Sequence, residues 1–401
     1  MIFQKSKLKI IKDFLYCIFA VIIMNLVLQI IIYPIINAKL GINKFGDFLF
    51  ILGIINVIGP SLGLALNNTR LILESKNYSN RSYLNILNIF CLVSSIFILG
   101  VGIYKSYTFY KIFLIILVTI LSIYRNYLCV EYRISLNYKK QCIFYLIISA
   151  GYLLGIVIFL FTFEWAYIMI LGDLLGFIYI KYTGNILKTK KECTIITKKI
   201  FKTSTVLSGS YFLTNSMLNL DRFILSAFLN EVAVSNYYVL SLFGKTIALI
   251  SGPLQSVIMG YFSKLKESIT KKFYFKIVFF IVLIMISFSI ICSVLTPIYI
   301  KIFYSSMPKF ESYLYIIISC SQILYFATNL LLTIILNFTK VKWQLYIQLL
   351  YSLLYISMAI WFTCLWEFDG YSFANFICNI IYFLITVLIG YKSLVNKDIK
   401  Y

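Results

Sequence analysis

Ile277-Val278-Phe279-Phe280-Ile281-Val282-Leu283-Ile284-Met285-Ile286-Ser287-Phe288-Ser289-Ile290-Ile291-Cys292-Ser293-Val294-Leu295 lies inside a stretch, 273–299, whose only charged residue is Lys276. A helix needs about 20 mainly apolar residues to cross the hydrocarbon core of a bilayer. This stretch has them, so it reads as a membrane-spanning helix. Working outward, similar stretches recur near 10–36, 45–68, 82–104, 109–129, 142–162, 164–183, 200–229, 231–262, 312–337, 343–365 and 370–391. The expectation is an all-α integral membrane protein with about twelve transmembrane helices. Composition agrees: 61% of the 401 residues are hydrophobic and 12% charged, with a mean hydropathy of +0.92. A water-soluble domain is nearer half apolar and a quarter charged.

The basic residues give an orientation. With the N-terminus inside, only Lys39, Lys44, Lys105, Lys111, Lys301 and Lys309 fall on outward segments, and Arg222 and Lys245 fall within helices. The remaining Lys and Arg cluster on the inward segments, as the positive-inside rule requires. Both termini are thus expected in the cytoplasm. The net charge of +22 is accounted for by these inward loops, with anionic membrane lipids as counter-charge, and gives no reason to invoke nucleic acid.

The longest inward loop, 184–199, divides the chain into an N-terminal six-helix half, 1–183, and a C-terminal six-helix half, 200–401. The halves echo each other. Ile58-Gly59-Pro60-Ser61 in the second helix matches Ser251-Gly252-Pro253-Leu254 in the eighth, and each of these helices ends in basic residues. Pro60 and Pro253 are candidate hinges, because proline removes a helix hydrogen bond; a static kink is the alternative.

Polar residues at membrane depth carry the functional signal, since a charge at a helix centre costs roughly 2.5–3.5 kcal/mol. Asn215, Asn219 and Arg222 in the seventh helix stand at i, i+4 and i+7 and share one face. Asp221 is turned about 100° from Arg222, so the two do not face each other. Interhelical hydrogen bonding and a cavity lining are the two readings of this face. Lys245 lies about 22 Å, and Asp221 about 13 Å, from the turn at Asn230–Glu231 at 1.5 Å per residue. Lys245 suits either a cationic lining for an anionic substrate or a buried partner for Asp221, and the depth gap weighs against the pair. Gln29, spaced i, i+4 from Asn25, and Asn56 are further lining candidates. Arg125 and Asp173 lie near the inner boundary, where anchoring at the membrane interface explains them.

Enzyme chemistry finds little support. There is no histidine, no phosphate-binding glycine loop and no Cys-x-x-Cys spacing among the nine cysteines, so no cofactor or metal is expected. The acids placed outward, mainly Glu164, Glu231, Glu311, Glu367 and Asp369, stand on short segments. A membrane polymerase needs a catalytic acid or base near a larger outer loop.

Leu220-Asp221-Arg222-Phe223-Ile224-Leu225-Ser226, then Glu231-Val232-Ala233-Val234-Ser235-Asn236-Tyr237-Tyr238, then Pro253 before Tyr261-Phe262-Ser263-Lys264 resembles the Wzx-type polysaccharide flippases. These belong to the multidrug/oligosaccharidyl-lipid/polysaccharide (MOP) superfamily. Lys44-Phe45-Gly46-Asp47-Phe48 and Leu62-Gly63-Leu64-Ala65-Leu66, ending on Arg70, resemble the same family's first half. The chain departs at Ser235, where the family usually has Gly, and at Phe48, where it often has Tyr. The resemblance implies a MATE-like fold. It also implies transport of an undecaprenyl-diphosphate-type lipid-linked oligosaccharide to the outer leaflet of the bacterial inner membrane, for O-antigen, lipopolysaccharide or capsule biosynthesis. Arg222, Lys245 and Arg70 then attract the diphosphate. Asn215, Asn219, Gln29 and Asn56 meet sugar hydroxyls. Asp221 couples to a proton or sodium gradient or balances the cations. Polysaccharide polymerase machinery is the implied protein partner. A MATE-like small-molecule exporter is the same architecture with another cargo, and a membrane polymerase is the third reading.

Overall fold

The computed structural model describes residues 16, 19, 21–73, 79–187, 198–249, 271–305, 307–335 and 341–395. Among them, helix is the sole regular structure. A π-helical turn, Val27–Ile32, leads into α1 (Tyr33–Leu73), followed by α2 (Asn80–Tyr104), α3 (Phe109–Leu128), α4 (Val130–Ile134), α5 (Tyr138–Thr162) and α6 (Ala166–Thr183). Then come α7 (Lys198–Leu218), α8 (Leu220–Phe228), α9 (Glu231–Leu249), α10 (Lys271–Phe303), α11 (Ser312–Ile335) and α12 (Val341–Val395). Eight helical stretches among the described residues are long and apolar enough to cross a membrane.

Two of these stretches are long enough to cross twice, and each is broken inside. α1 breaks at Gly41, whose φ of 78° suits a residue without Cβ. α12 breaks at Trp366–Glu367, and Glu367 has a φ of 49°. The second break falls where the sequence placed a turn between 343–365 and 370–391. Both breaks are consistent with about twelve crossings. Elsewhere polar side chains cap helix ends: Ser79, Thr108 and Asn137 each accept from a backbone N–H three residues on. Pro60 lies within helical backbone, and Gly41 is the residue where α1 departs from helical dihedrals. Pro253 and the echo around it lie outside the described residues.

Large apolar side chains face outward on the spanning helices, among them Ile96 on α2 and Phe279, Phe280 and Ile290 on α10. Such surface is stable only against lipid. The chain forms two compact units, Met1–Leu220 and Asp221–Tyr401. In the first, α5 packs on α6, and α1 packs on α3 and α7. In the second, α11 packs on α9, α10 and α12. This division falls one helix later than the loop at 184–199, because α7 is held by α1.

Small residues allow the closest approaches. A Cβ added at Gly155 on α5 would stand 2.6 Å from the Ile168 Cα of α6, and one at Gly151 would stand 2.6 Å from the Gly172 Cα. Gly151 and Gly155 form the small-x-x-x-small spacing that lets membrane helices touch backbone to backbone. On α1, a Cβ at Gly63 would meet the Ile123 carbonyl oxygen of α3 at 2.6 Å.

Candidate functional site

The second unit holds a charge cluster. Asp221 and Arg222 open α8 and are both buried. Lys245 on α9 donates from Nζ to Asp221 Oδ2 at 2.5 Å. Of the two readings of Lys245, a cationic lining or a partner for Asp221, this contact is the second, despite the depth gap that weighed against it. Side chains on a helix lean toward its N-terminus. Around the α8–α9 turn that lean carries Asp221 away from the turn and Lys245 toward it. A four-carbon stem closes the remaining gap. The Arg222 guanidinium lies 5.3 Å from the Tyr238 ring centroid. The Lys245 ammonium also stands 5.9 Å from the Tyr237 ring. One ion pair, Lys245–Asp221, and the neighbouring Arg222 are thus set among the Tyr237 and Tyr238 rings.

Beyond it runs a buried network of neutral polar groups. The Tyr237 hydroxyl accepts from Asn375 Nδ2 at 2.5 Å and from Gln322 Nε2 at 3.3 Å. Ser321 Oγ donates to Asn375 Oδ1 at 2.9 Å, and Asn379 Nδ2 donates to Asn375 Oδ1 at 2.7 Å. Tyr351 donates to Asn379 Oδ1 at 2.9 Å. None of these residues stood out in the sequence. The usable signal was Asn375 and Asn379 at i, i+4 on an otherwise apolar helix.

In the first unit Asn215 donates to Ser61 Oγ on α1 at 3.1 Å, and Asn219, at the break between α7 and α8, donates to the Asn215 carbonyl at 2.9 Å. The first of these helices ends at Leu218 and the next begins at Leu220. Arg70 belongs to a different cluster at the end of α1. It donates to the Tyr127 hydroxyl at 3.0 Å and to Asn80 Oδ1 at 2.6 Å, and its guanidinium lies 5.0 Å from the Tyr83 ring. Arg133, absent from the sequence candidates, joins this end of α1 by donating to Asn67 Oδ1 at 2.8 Å and Asn68 Oδ1 at 2.9 Å. Asn68 in turn donates to the Tyr211 hydroxyl of α7 at 2.5 Å. Gln29 and Asn56 are half-buried, on the π-helical turn and on α1.

Arg125 and Asp173, which the sequence places near the inner boundary, meet each other. Arg125 on α3 donates to Asp173 on α6 at 2.7 Å, and the Asp173 side chain is 2% exposed. Tyr152 on α5 joins them, donating to Asp173 at 3.0 Å. Linear distance from a loop does not reveal the partner a buried charge has found. Among the described residues, no group of three or more His, Cys, Asp or Glu is placed to hold a metal.

No protein-family model matches the chain, and no curated protein matches its sequence. Solved structures do match its fold. A multidrug resistance MATE family transporter of the MOP superfamily in the inward-facing conformation has a TM-score of 0.65 at 13% identity, covering 93% of this chain and 94% of that one. The Vibrio cholerae MATE transporter VcmN in the bent form gives 0.59 at 14% identity, with 98% of each chain covered. An outward-facing MATE family transporter gives 0.61 at 12% identity, with 96% of each covered. At such identities the likeness establishes the fold: an all-helical, multi-pass membrane protein with the architecture of MATE-type transporters.

Proposed function

We propose that this chain is a flippase. It moves an anionic polyprenyl-diphosphate-linked oligosaccharide from the cytoplasmic to the outer leaflet of a bacterial inner membrane, by alternating access of its two six-helix halves. The supporting observation is the pair of cations set within the second unit's helices, Lys245 held on the buried Asp221 and Arg222 buried beside it in sequence. A buried positive charge is expensive to keep, and a substrate that brings diphosphate gives the expense a use. Arg222 and Lys245 attract the diphosphate in this reading, and Asp221 holds Lys245 until the substrate competes for it. Arg70 and Arg133, with the amides of Asn67, Asn68 and Asn80 around them, present donors for phosphate or sugar at the cytoplasmic end. The lipid tail stays in the bilayer.

The test is a strain lacking the gene. Lipid-linked oligosaccharide should accumulate on the cytoplasmic face, surface polysaccharide should be lost, and the intact protein should restore both. A small-molecule exporter is the second reading, favoured by fold neighbours described as multidrug resistance transporters. Unchanged glycolipid in the deletion strain would return that reading to first place. Completed oligosaccharide reaching the outer face unpolymerised would point to a polymerase.

A further inference from the structure

Where α12 breaks, its two legs flank an open, shallow pocket of about 860 Å³, lined by Phe362, Leu365 and Trp366 on one leg, Phe373 and Ile377 on the other, and Glu367 and Asp369 between them. Neither carboxylate makes an ion pair among the described residues, and the Tyr313 hydroxyl lies beside Asp369. In a chain with 36 Lys and Arg against 14 Asp and Glu, two acids left without a basic partner stand out. Gly370 permits the geometry. A Cβ there would stand 2.0 Å from the Phe362 carbonyl oxygen, so a side chain would force the legs apart. Next to it, Glu367 is held at a positive φ of 49°.

We propose that this pocket binds the ammonium of a zwitterionic lipid headgroup. Two carboxylates beside aromatic rings are the chemistry that recognises an organic ammonium: the acids supply charge, and the ring faces supply cation–π attraction. A bare metal ion is disfavoured, since no third ligating side chain of the His, Cys, Asp or Glu type joins the pair among the described residues. The volume suits an organic group. The flanks argue for a lipid as the carrier. Trp361, Leu365 and Trp366 are each more than half exposed beside the pocket, and the pocket lies where two spanning legs meet. That is headgroup level, where tryptophan is favoured. The acyl chains then lie along the exposed apolar flank while the ammonium reaches Glu367 and Asp369. This inference does not depend on what the protein transports.

The test compares phosphatidylethanolamine with phosphatidylglycerol of identical acyl chains, added to the full-length protein in detergent and counted by native mass spectrometry. A chain of net charge +22 should bind the anionic lipid at many sites. The pocket predicts one saturable phosphatidylethanolamine site above that background, with about tenfold preference over phosphatidylglycerol. Glu367→Gln with Asp369→Asn should abolish the preference while leaving the melting temperature and phosphatidylglycerol binding unchanged. Trp366→Ala should weaken it. Equal retention of both lipids, or a preference untouched by the double substitution, overturns the proposal. So does tetramethylammonium bound at these residues that phosphatidylethanolamine fails to displace, because the pocket then serves a soluble cation.

Discussion

Two buried ion pairs in this protein look alike and sit in different company. In the first unit, Arg125 and Asp173 meet at 2.7 Å with Tyr152 beside them. The helices around them are pressed together through Gly151, Gly155 and Gly172. Charge is balanced one to one, and the backbones leave no room to move. In the second unit, Asp221 and Lys245 meet at 2.5 Å, and Arg222, next along α8, lies with its guanidinium 5.3 Å from the Tyr238 ring centroid. The two pairs are similarly buried: Lys245 is 23% and Asp221 6% exposed, against 17% for Arg125 and 2% for Asp173. In the proposed reading, the first pair is structural and the second is the one a substrate engages.

Substitutions can break this comparison, and the effects should fall in a definite order. Asp173→Asn should be the most damaging to the fold. It leaves Arg125 buried without its counter-charge, at a cost of about 3–5 kcal/mol, read as lost folded protein after membrane extraction. Arg125→Met combined with Asp173→Leu should recover much of that yield, because replacing both partners removes the stranded charge. Next comes Gly155→Val. Its Cβ would collide with the Ile168 backbone, which cannot swing aside, and overpacking of this kind costs about 1–3 kcal/mol. A normal melting temperature in this variant would show that α5 and α6 are looser than the structure draws them.

In the second unit the order of readouts reverses. Arg222→Ala and Lys245→Ala should cut transport by about tenfold or more, equivalent to about 1.4 kcal/mol, while membrane levels stay normal. If both variants instead lose folded protein, the cluster is packing and the contrast with Arg125–Asp173 disappears. The smallest effect is expected at Lys111–Asp47. This pair also measures 2.7 Å, yet its side chains are 24% and 21% exposed. Lys111→Ala should change stability by about 1 kcal/mol or less.

The contrast also marks what the sequence could reveal. The spanning helices were legible because apolar runs and inward basic loops are one-dimensional signals. The turn expected after 343–365 is the Trp366–Glu367 break. Partners were harder. The Lys245–Asp221 pair stayed one of two readings because depth was counted along the backbone without the lean of the side chains. Arg125 and Asp173 were read as anchors because nothing in a single chain says that α3 and α6 are neighbours. Arg133 was passed over as one more inward cation; its Asn67 and Asn68 partners lie more than sixty residues away. The association of α7 with α1 was likewise invisible to a division drawn at the longest loop.

The most direct test of the flippase reading is transport by the purified protein in vesicles. A polyprenyl-diphosphate oligosaccharide carrying a fluorophore would be loaded into sealed vesicles, and its exposure to a membrane-impermeant quencher followed in each leaflet. Leaflet exchange that requires the protein, and falls when Arg222 and Lys245 are replaced by Ala, is the predicted result. Vesicles that move a small organic cation but leave the lipid-linked sugar in its original leaflet would contradict it.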